Sequence, residues 1–397
     1  MLDLLAIKLS SFLGVDSDLS LSTSQLVAAV TLLIFSLYLA FSMLNYYFKT
    51  TNQFVVAGRM AVVTGGSDGM GKSVAVELAR KGASVTVVGR DVGKLKAVYE
   101  AMKTCAPHMC GQKFHWIQAD LIDPKESERV MAEVTEFNGG VYPDIVWTCV
   151  GQCIPGFFLH TSPETLKAQM DTNYFTAAYT AQAILKLWLA PVSAGQAPEK
   201  TPRRHLIFTS SAACFVPVAG YAPYAPAKAA LRALADAVTS EIEVYNGSRR
   251  NPSITAPAAD VRTHIIFPMG ILSPGFAQEQ KIKPALTKHL EESDKPQTPD
   301  EVAAIAIRGL EKGQYMVTTL LVSTLMKAVT MGGSYRNSAV RDTLTSWMSS
   351  LIFLQVVPDL RGRAFRWGRV NGIPKKGEDN TMAPPPLTED CMGGEQA

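Results

Sequence analysis

Residues 59–72 read RMAVVTGGSDGMGK, a short apolar run followed by a turn that contains four glycines. The residues that follow, up to Arg80, have the composition of a helix. Strand, glycine-rich turn and helix in this order are typical of a dinucleotide-binding site. We expect Gly65 to permit the tight turn, Gly69 to let the backbone approach a pyrophosphate, and Gly71 to allow the helix to pack closely on the strand. An ordinary tight turn is the alternative.

Beyond residue 58 the sequence alternates between short β-rich runs and helical stretches. The predicted strands after the first are Ala83–Val88, Phe114–Ala119, Ile145–Cys149, His205–Thr209 and Arg262–Phe267. The predicted helices between them are Lys94–Met102, Lys125–Phe137, Thr172–Leu189 and Ala227–Tyr245. This alternation predicts an α/β fold of the Rossmann type, a doubly wound parallel sheet with helices on both faces.

Tyr224 and Lys228 are four residues apart, so they lie on one face of a helix. An ammonium close to a phenol favours the phenolate, and we expect Lys228 to lower the pKa of Tyr224 from about 10 toward neutrality. A tyrosine tuned in this way can donate a proton to a carbonyl oxygen or accept one. Ser211 precedes Tyr224 by thirteen residues, and the glycine-rich turn precedes both.

These groups, in this order, resemble the short-chain dehydrogenase/reductase family over about residues 58–318. The resemblance implies that Ser211 hydrogen-bonds the substrate carbonyl and holds it for Tyr224. It also implies that Asn173 binds a water that links Lys228 to bulk solvent. The alternative for Asn173 is an ordinary position inside a helix, which asparagine does not favour.

Arg90 directly follows the second predicted strand, where enzymes that bind NAD usually carry a carboxylate. An arginine there can pair with the 2′-phosphate of NADPH, so we expect NADPH as the cofactor. Lys94 and Ser67 would assist Arg90 in this contact. The adjacent Asp91 argues for NAD, although it has an adequate role as the N-cap of the next helix.

The resemblance implies further cofactor contacts. Asp120, which closes the third predicted strand, would contact the adenine, although a turn role is the alternative. The loop Phe267–Gly275 would cover the nicotinamide, with Ile271 and Ser273 as contacts. The other expected contacts are Gly65, Asp68, Gly69, Gly71, Tyr224 and Lys228. Residues 148–151 read TCVG where the family usually has Asn-Asn-Ala-Gly, so this wall of the site is altered.

Residues 26–48 carry no charged side chain, and at about 1.5 Å per residue they would cross a hydrocarbon core of about 30 Å. This segment predicts a transmembrane helix within an N-terminal region at 1–57. Acidic residues precede the segment and basic residues follow it, so the positive-inside rule predicts that the domain after it faces the cytosol. A buried core helix is the alternative.

The C-terminal region does not fit a dinucleotide-binding fold. Met316–Val329 and Leu344–Val357 are apolar stretches that are too short or too polar to span a bilayer. Four arginines interleaved with aromatic residues follow: Arg361, Arg363, Arg366 and Arg369. We expect a reductase domain at 58–319 and a membrane-associated helical extension at 320–373. Packing on the core or a dimer contact is the alternative for the extension, and the tail at 374–397 is expected to be disordered.

Composition limits the other classes of function. A net charge of +3 gives no indication of a nucleic acid partner. The six cysteines form no Cys-x-x-Cys pair, which indicates reduced thiols. The six histidines show no spacing typical of metal ligands, so no metal site is expected. A homo-oligomer is compatible with this sequence.

Within the family, residues 64–72, residues 267–276, the N-terminal anchor and the apolar C-terminal region look most like the reductases of sphingolipid biosynthesis. This narrower resemblance implies an NADPH-dependent oxidoreductase that reduces the 3-keto group of a long-chain sphingoid base at the cytosolic face of the endoplasmic reticulum. The residues themselves lead only to a membrane-bound NADPH carbonyl reductase. A lipid substrate fits the membrane features, since each buried methylene contributes about 0.8 kcal/mol. A steroid or retinoid dehydrogenase of the same family is one alternative. A reductase-like scaffold without activity is another, and the presence of Ser211, Tyr224 and Lys228 argues against it.

Overall fold

The computed structural model describes residues 51–107, 111–192 and 201–374, together with the isolated position 36. Apart from positions 36 and 374, the predicted transmembrane segment at 26–48 and the predicted disordered tail lie outside the described residues. Within the described part of the chain, no helix is long and apolar enough to cross a membrane.

A central sheet of parallel strands organises the described residues, which confirms the predicted fold class. Its strands are β1 (Met60–Thr64), β2 (Ser84–Gly89), β3 (Phe114–Gln118), β4 (Ile145–Thr148), β6 (Arg204–Thr209), β8 (Val261–Phe267) and β9 (Met316–Thr318). They lie in the order β3-β2-β1-β4-β6-β8-β9. Two short strands, β5 (Pro191–Val192) and β7 (Ala256–Pro257), form a separate antiparallel pair.

Helices cover both faces of this sheet. In chain order they are α1 (Gly69–Arg80), α2 (Val92–Cys105), α3 (Pro124–Phe137), α4 (Pro163–Met170), α5 (Thr176–Trp188), α6 (Ala225–Ser248), α7 (Pro274–Ile282), α8 (Ala285–Leu290), α9 (Pro299–Glu311), α10 (Leu321–Val329) and α11 (Ala339–Asn371). Helices α1, α2 and α9 pack on one face, and α3, α5 and α6 pack on the other. Alternate side chains of β1 enter the two cores, because successive side chains of a strand point to opposite faces.

The candidate site lies where the direction of the strand order reverses. Strand β1 pairs with β2 on one side and with β4 on the other. In such sheets, ligands bind in the crevice at the carboxyl ends of the strands, beside the reversal. Thr64, Thr148 and Thr209 end β1, β4 and β6 at this edge, so the glycine-rich turn and the residues after β6 face the same crevice.

The folded domain begins before its predicted limit at residue 58. Phe54 and Val56 are buried in the core, and the backbone N–H of Gln53 donates to the carbonyl of Glu311 at 2.8 Å. At the other end, the start of the first apolar C-terminal stretch is not a membrane-facing helix, because Met316–Thr318 forms β9 and pairs with β8. Burial beside β8 explains the apolar character of these three residues.

The C-terminal extension is dominated by α11, a helix of 33 residues that contains Pro358. Its inner side packs on α8 and α10, where Trp367 is only 1% exposed. Its outer side carries exposed apolar side chains, namely Val340, Trp347, Met348, Leu351, Ile352, Leu354, Phe365 and Val370. The extension therefore covers the core, as one sequence-based alternative states, and keeps an apolar outer surface.

Candidate active site

Gly65 and Gly71 of the glycine-rich turn leave no room for a side chain. Gly65 has a φ of +66°, and a Cβ there would lie 2.8 Å from the backbone of Cys149. A Cβ on Gly71 would lie 2.3 Å from the carbonyl oxygen of Gly65, so the close approach occurs within the turn rather than between helix and strand. Asp68 caps α1 by accepting from the N–H of Gly69 at 2.7 Å. The turn is a backbone cradle at a helix N-terminus, which suits a pyrophosphate.

Arg90 lies exposed at the carboxyl end of β2 and makes no ion pair with any described residue. Ser67 packs against the end of the same strand, so the two side chains lie together at the carboxyl end of β2. Lys94 differs from the expectation, because its ammonium lies 2.7 Å from the carboxylate of Asp68 and is already paired. Asp91 caps α2 by accepting from the N–H of Lys94 at 3.0 Å, which is the structural role that the sequence allows.

Ser211 and Tyr224 meet at the carboxyl end of β6. Ser211 caps a short 3₁₀ turn at Ala212–Cys214, and its hydroxyl accepts from the N–H of Ala213 at 3.2 Å. The same hydroxyl is close enough to the phenol of Tyr224, which stands at the N-terminus of α6, to act on the pKa of that phenol in the direction opposite to burial. The two side chains can therefore hold one carbonyl oxygen between them.

The pKa of Tyr224 is raised, and burial is the largest cause. The expectation that Lys228 lowers this pKa toward neutrality is therefore wrong for the protein alone. The ammonium of Lys228 lies 5.8 Å from the centre of the phenol ring, and desolvation of the phenolate is the largest cause of the shift. A phenol with a raised pKa stays protonated at neutral pH, which is the form that a proton donor requires.

Lys228 is held in a buried position at the base of the site. It is 3% exposed, and its Nζ donates to the carbonyl of Thr209 at 3.1 Å. The hydroxyl of Ser210 donates to the carbonyl of Lys228 at 2.9 Å, which ties α6 to the end of β6. Burial lowers the pKa of Lys228 to about 8, so the ammonium can lose or regain a proton near neutral pH.

Asn173 lies in a π-helical turn at Asp171–Phe175, not in the regular helix that one alternative states. Such turns are rare and occur frequently at functional sites. The amide nitrogen of Asn173 donates to the carbonyls of Gln152 at 2.8 Å and Gln169 at 3.0 Å, and its amide oxygen accepts from the N–H of Gln152. These bonds fix the buried amide beside α6.

Gly151 brings Asn173 and Lys228 together. A Cβ at Gly151 would lie 3.0 Å from both the Oδ1 of Asn173 and the Nζ of Lys228. Nothing in the sequence indicates that the backbone of Gln152 and the carbonyl of Thr209 hold these two side chains. Backbone groups are common to all residues, so their roles leave no signature in a motif.

The altered wall after β4 carries neutral side chains. The hydroxyl of Thr148 donates to the carbonyl of Ile207 at 3.3 Å. The thiol of Cys149 lies 3.6 Å from the hydroxyl oxygen of Thr209, and burial raises the pKa of Cys149 to about 12. Both residues that replace the family's asparagines are therefore uncharged, and the polar group of each contacts β6.

The loop after β8 returns to the glycine-rich turn. Ile271 forms an isolated bridge with Gln297, and Ser273 caps α7 by accepting from the N–H of Phe276 at 3.2 Å. The Cβ of Ser273 lies 3.4 Å from the place that a Cβ on Gly69 would occupy. The loop therefore closes beside the N-terminus of α1, where it can contact a bound cofactor.

Asp120 lies exposed at the same edge of the sheet, just beyond β3. Its carboxylate accepts from the N–H of Ile122 at 3.3 Å, which is a turn role. Its adenine contact stays a prediction.

The structure gathers four of the expected residues into one group at the carboxyl ends of the strands: Ser211, Tyr224, Lys228 and Asn173.

The short chain dehydrogenase family matches residues 59–254, and the chain belongs to this family of oxidoreductases. Two relatives specify the branch to which it is similar. The chain is 58% identical over 338 residues to the 3-ketodihydrosphingosine reductase of Aspergillus fumigatus, with 85% of this chain and 92% of that protein covered. It is 38% identical over 330 residues to the 3-ketodihydrosphingosine reductase of Neurospora crassa, with 82% and 87% covered.

Solved structures show the same fold. A short-chain type dehydrogenase/reductase from Mycobacterium ulcerans has a TM-score of 0.52 at 21% identity, with 65% of this chain and 84% of that chain covered. Levodione reductase has a TM-score of 0.52 at 19% identity, with 64% and 91% covered. At these identities the likeness establishes the fold alone. The family that the glycine-rich turn and the Ser–Tyr–Lys set indicate is confirmed.

Proposed function

We propose that the protein uses NADPH to reduce the 3-keto group of 3-ketodihydrosphingosine to an alcohol. The observation that carries the proposal is the assembly of Ser211, Tyr224 and Lys228 in one site, with Tyr224 as a half-buried proton donor. The identity of 58% to the reductase of Aspergillus fumigatus supports the choice of substrate, since the similarity covers 92% of that protein.

The proton steps follow from the geometry of the site. When bound, NADPH supplies the hydride that reduces the carbonyl carbon. Ser211 donates a hydrogen bond to the carbonyl oxygen and orients it beside Tyr224. As negative charge develops on that oxygen, the phenol of Tyr224 donates its proton to it. One hydride at carbon and one proton at oxygen complete the alcohol.

Lys228 and Asn173 restore the proton of Tyr224. The phenolate that remains after transfer is stabilised by the nearby ammonium. Since the pKa of Lys228 is about 8, this ammonium can in turn pass a proton to the phenolate. Asn173 lies beside it across Gly151, where its amide can position a water that leads to solvent.

The residues present fit NADPH. A Cβ at Gly65 or Gly71 would collide with neighbouring backbone, so the turn can offer its N–H groups to a pyrophosphate in this conformation only with glycine at both positions. Arg90 offers the 2′-phosphate a guanidinium that no described residue pairs. The Gly65–Gly71 turn would therefore hold the pyrophosphate, and Arg90 with Ser67 would select the phosphorylated cofactor.

Turnover by the full-length protein in detergent micelles tests the proposal. The sphingoid ketone and a steroid ketone are each supplied with NADPH and with NADH, and the alcohols are quantified by mass spectrometry. We expect the sphingoid alcohol to form with NADPH at a rate well above the other three combinations. Faster reduction of the steroid would favour a steroid dehydrogenase, and equal rates with both cofactors would overturn the preference for NADPH.

We also propose that the protein is held at the endoplasmic reticulum membrane with its catalytic domain in the cytosol. The apolar sequence at 26–48 supports an anchor, and Phe54 enters the folded core only a few residues later. Protease added to sealed microsomes should digest the catalytic domain, whereas protection of this domain would show that it faces the lumen. Homo-oligomerisation stays a prediction.

A further inference from the structure

A group of charged side chains lies at helices α7 and α8, next to the catalytic tyrosine. The ammonium of Lys283 lies 2.9 Å from a carboxylate oxygen of Glu279 and 2.7 Å from one of Glu291. The side chain of Lys283 is 2% exposed and that of Glu279 is 13% exposed. We refer to Glu279, Lys283 and Glu291 as the acidic cluster.

The acidic cluster holds more negative than positive charge. Two carboxylates face one ammonium, which leaves one surplus negative charge. Charge removed from water is costly unless a partner compensates it. The hydroxyl of Tyr221 donates to the Oε1 of Glu279 at 3.1 Å, and Lys283 contacts the same oxygen. Within the described residues this carboxylate makes no other hydrogen bond, so Oε2 can accept from a ligand.

The acidic cluster adjoins the residues that perform the reduction. The ring of Tyr221, whose hydroxyl binds Glu279, has its centre 6.2 Å from that of Tyr224. The thiol of Cys153 is near enough to Glu279 and to Lys228 for both charges to act on it. Burial is the largest cause of its raised pKa, the charge of Glu279 raises this pKa further, and the charge of Lys228 lowers it. The charge of Glu279 also acts on Tyr224 itself. The cluster and the catalytic phenol are therefore neighbours in one region of the site.

We infer that the acidic cluster binds the amino group of the substrate, with Glu279 as its principal acceptor. The inference rests on the proposed function. In 3-ketodihydrosphingosine, an amino group is attached to the carbon next to the ketone, and it is an ammonium at neutral pH. A carbonyl oxygen held by Ser211 and Tyr224 places this ammonium one carbon from the reacting centre. A surplus carboxylate charge beside Tyr224 complements it.

This contact would make the enzyme selective for 2-amino ketones. The ammonium supplies the positive charge that the acidic cluster lacks, and it fixes which side of the ketone enters the site first. Simple ketones with the same alkyl chain would bind through apolar contacts alone. They would gain nothing from Glu279.

A purely structural role is the competing explanation, because Lys283 joins α7 to α8 through its two carboxylate partners. The Glu279→Gln substitution separates the two explanations. The amide oxygen of glutamine can still accept from Tyr221, but its charge is gone. A structural defect would impair the reduction of every ketone, whereas loss of ammonium recognition would impair only that of the amino ketone.

The experiment compares two substrates of the full-length protein. One is 3-ketodihydrosphingosine, and the other is 1-hydroxyoctadecan-3-one, which has the same chain without the amino group. We expect Glu279→Gln to lower kcat/KM for the amino ketone at least tenfold and to leave the other within about twofold, since a hydrogen bond to a charged group is lost. Glu291→Gln should act in the same direction. Glu292→Gln, an exposed neighbour that pairs with His289, is the matched control.

The outcomes separate this inference from the proposed function. Equal losses on both ketones in Glu279→Gln and Glu291→Gln would overturn the inference and leave the proposed function intact. A wild type that does not prefer the amino ketone would overturn it in the same way. If the wild type reduces neither ketone, both fail. NADPH affinity, measured by tryptophan fluorescence, verifies that each variant is folded. If Glu279→Gln does not fold, Glu291→Gln takes its place in the comparison of the two ketones.

Discussion

At the scale of single residues, burial sets the chemistry of Tyr224 more than any neighbouring charge does. The phenol is held protonated by its surroundings, and the neighbouring hydroxyl of Ser211 offsets the effect of burial only in part. Reduction consumes one proton per turnover at the carbonyl oxygen. A protonated tyrosine backed by an ammonium with a pKa of about 8 is therefore suited to the reductive direction.

Replacement of Tyr224 by phenylalanine should remove nearly all reductase activity and leave NADPH affinity unchanged, because only the proton donor is lost. General acid catalysis contributes about 10²–10⁴-fold to a rate. Rates are followed by the absorbance of NADPH, and affinity by fluorescence titration. Tyr245→Phe, at an exposed position of α6, is the control. A residual rate above a tenth of wild type would contradict the assignment.

Arg90→Ala should weaken NADPH binding more than tenfold and leave NADH binding nearly unchanged. The substitution removes a charge-assisted contact worth about 1.5–3 kcal/mol, which only the 2′-phosphate makes. Lys94→Ala should have a smaller effect, since the ammonium of Lys94 is already paired with Asp68. Dissociation constants for both cofactors measure the difference. Equal losses for NADPH and NADH would mean that Arg90 is structural.

The residues that the structure gathers into the candidate site could be predicted, but not all of their properties. Ser211, Tyr224 and Lys228 are recognisable from order and spacing alone. The raised pKa of Tyr224 and the pairing of Lys94 with Asp68 were not predictable, because both depend on burial and on contacts distant in sequence. The acidic cluster has no motif either, since Glu279 and Glu291 come together only when α7 and α8 fold over the site.

At the scale of elements, the outer side of α11 is the feature with the clearest consequence. An exposed apolar surface beside basic residues suits the membrane interface. Arg363 already has partners within the protein, since its guanidinium donates to the carbonyl of His289 and pairs with Glu292. Arg361 and Arg369 are exposed on the same helix, so they can contribute to binding an anionic surface.

The variant Trp347→Ser, Leu351→Ser, Leu354→Ser should bind anionic liposomes at least tenfold more weakly in a protein that begins at Thr51. Burial of one such side chain contributes about 1.5–3 kcal/mol, so the partial insertion of three side chains contributes more than the free energy of a tenfold change in binding. Sedimentation with liposomes at low salt measures the partition. Val141→Ser, Val244→Ser, which changes exposed apolar residues elsewhere, is the control. If the parent protein does not bind at all, α11 serves the core or an oligomer contact.

Most elements of the sheet could be predicted, because alternating strands and helices leave a strong periodic signal. Strand β4, for example, ends within one residue of its predicted limit. The failures are Met316–Thr318, which the apolar pattern assigns to a membrane-facing stretch, and the π-helical turn around Asn173. A three-residue buried strand cannot be distinguished from the start of an apolar helix by periodicity. A π turn depends on the tertiary contacts of its amide.

At the scale of the whole molecule, two buried histidines couple stability to pH. The Nδ1 of His205 lies 3.0 Å from the Nε2 of His264, and the Nδ1 of His264 lies 2.7 Å from the carbonyl of Gln314. Burial lowers the pKa of His205, and it lowers that of His264 from 6.5 to about 4. Below pH 6.5 the unfolded chain therefore binds more protons than the folded one, and stability falls as the pH decreases.

The free energy of unfolding should fall by about 2 kcal/mol between pH 7 and pH 5 through His264 alone. Urea denaturation at both pH values measures the change. The double variant His205→Gln, His264→Gln should be less stable at pH 7 but lose less stability between the two values, because it has no buried imidazole to protonate. An equal loss in the variant would assign the pH dependence to other groups.

The measurement that tests the central proposal most directly is the transfer of label from NADPH deuterated at the reactive carbon of the nicotinamide. The full-length protein is incubated with 3-ketodihydrosphingosine, and the product is analysed by mass spectrometry. We expect the alcohol to carry one deuterium on carbon 3 in the wild type, and we expect almost no product with Tyr224→Phe. An unlabelled alcohol, or no turnover of this ketone by the wild type, would contradict the proposed function.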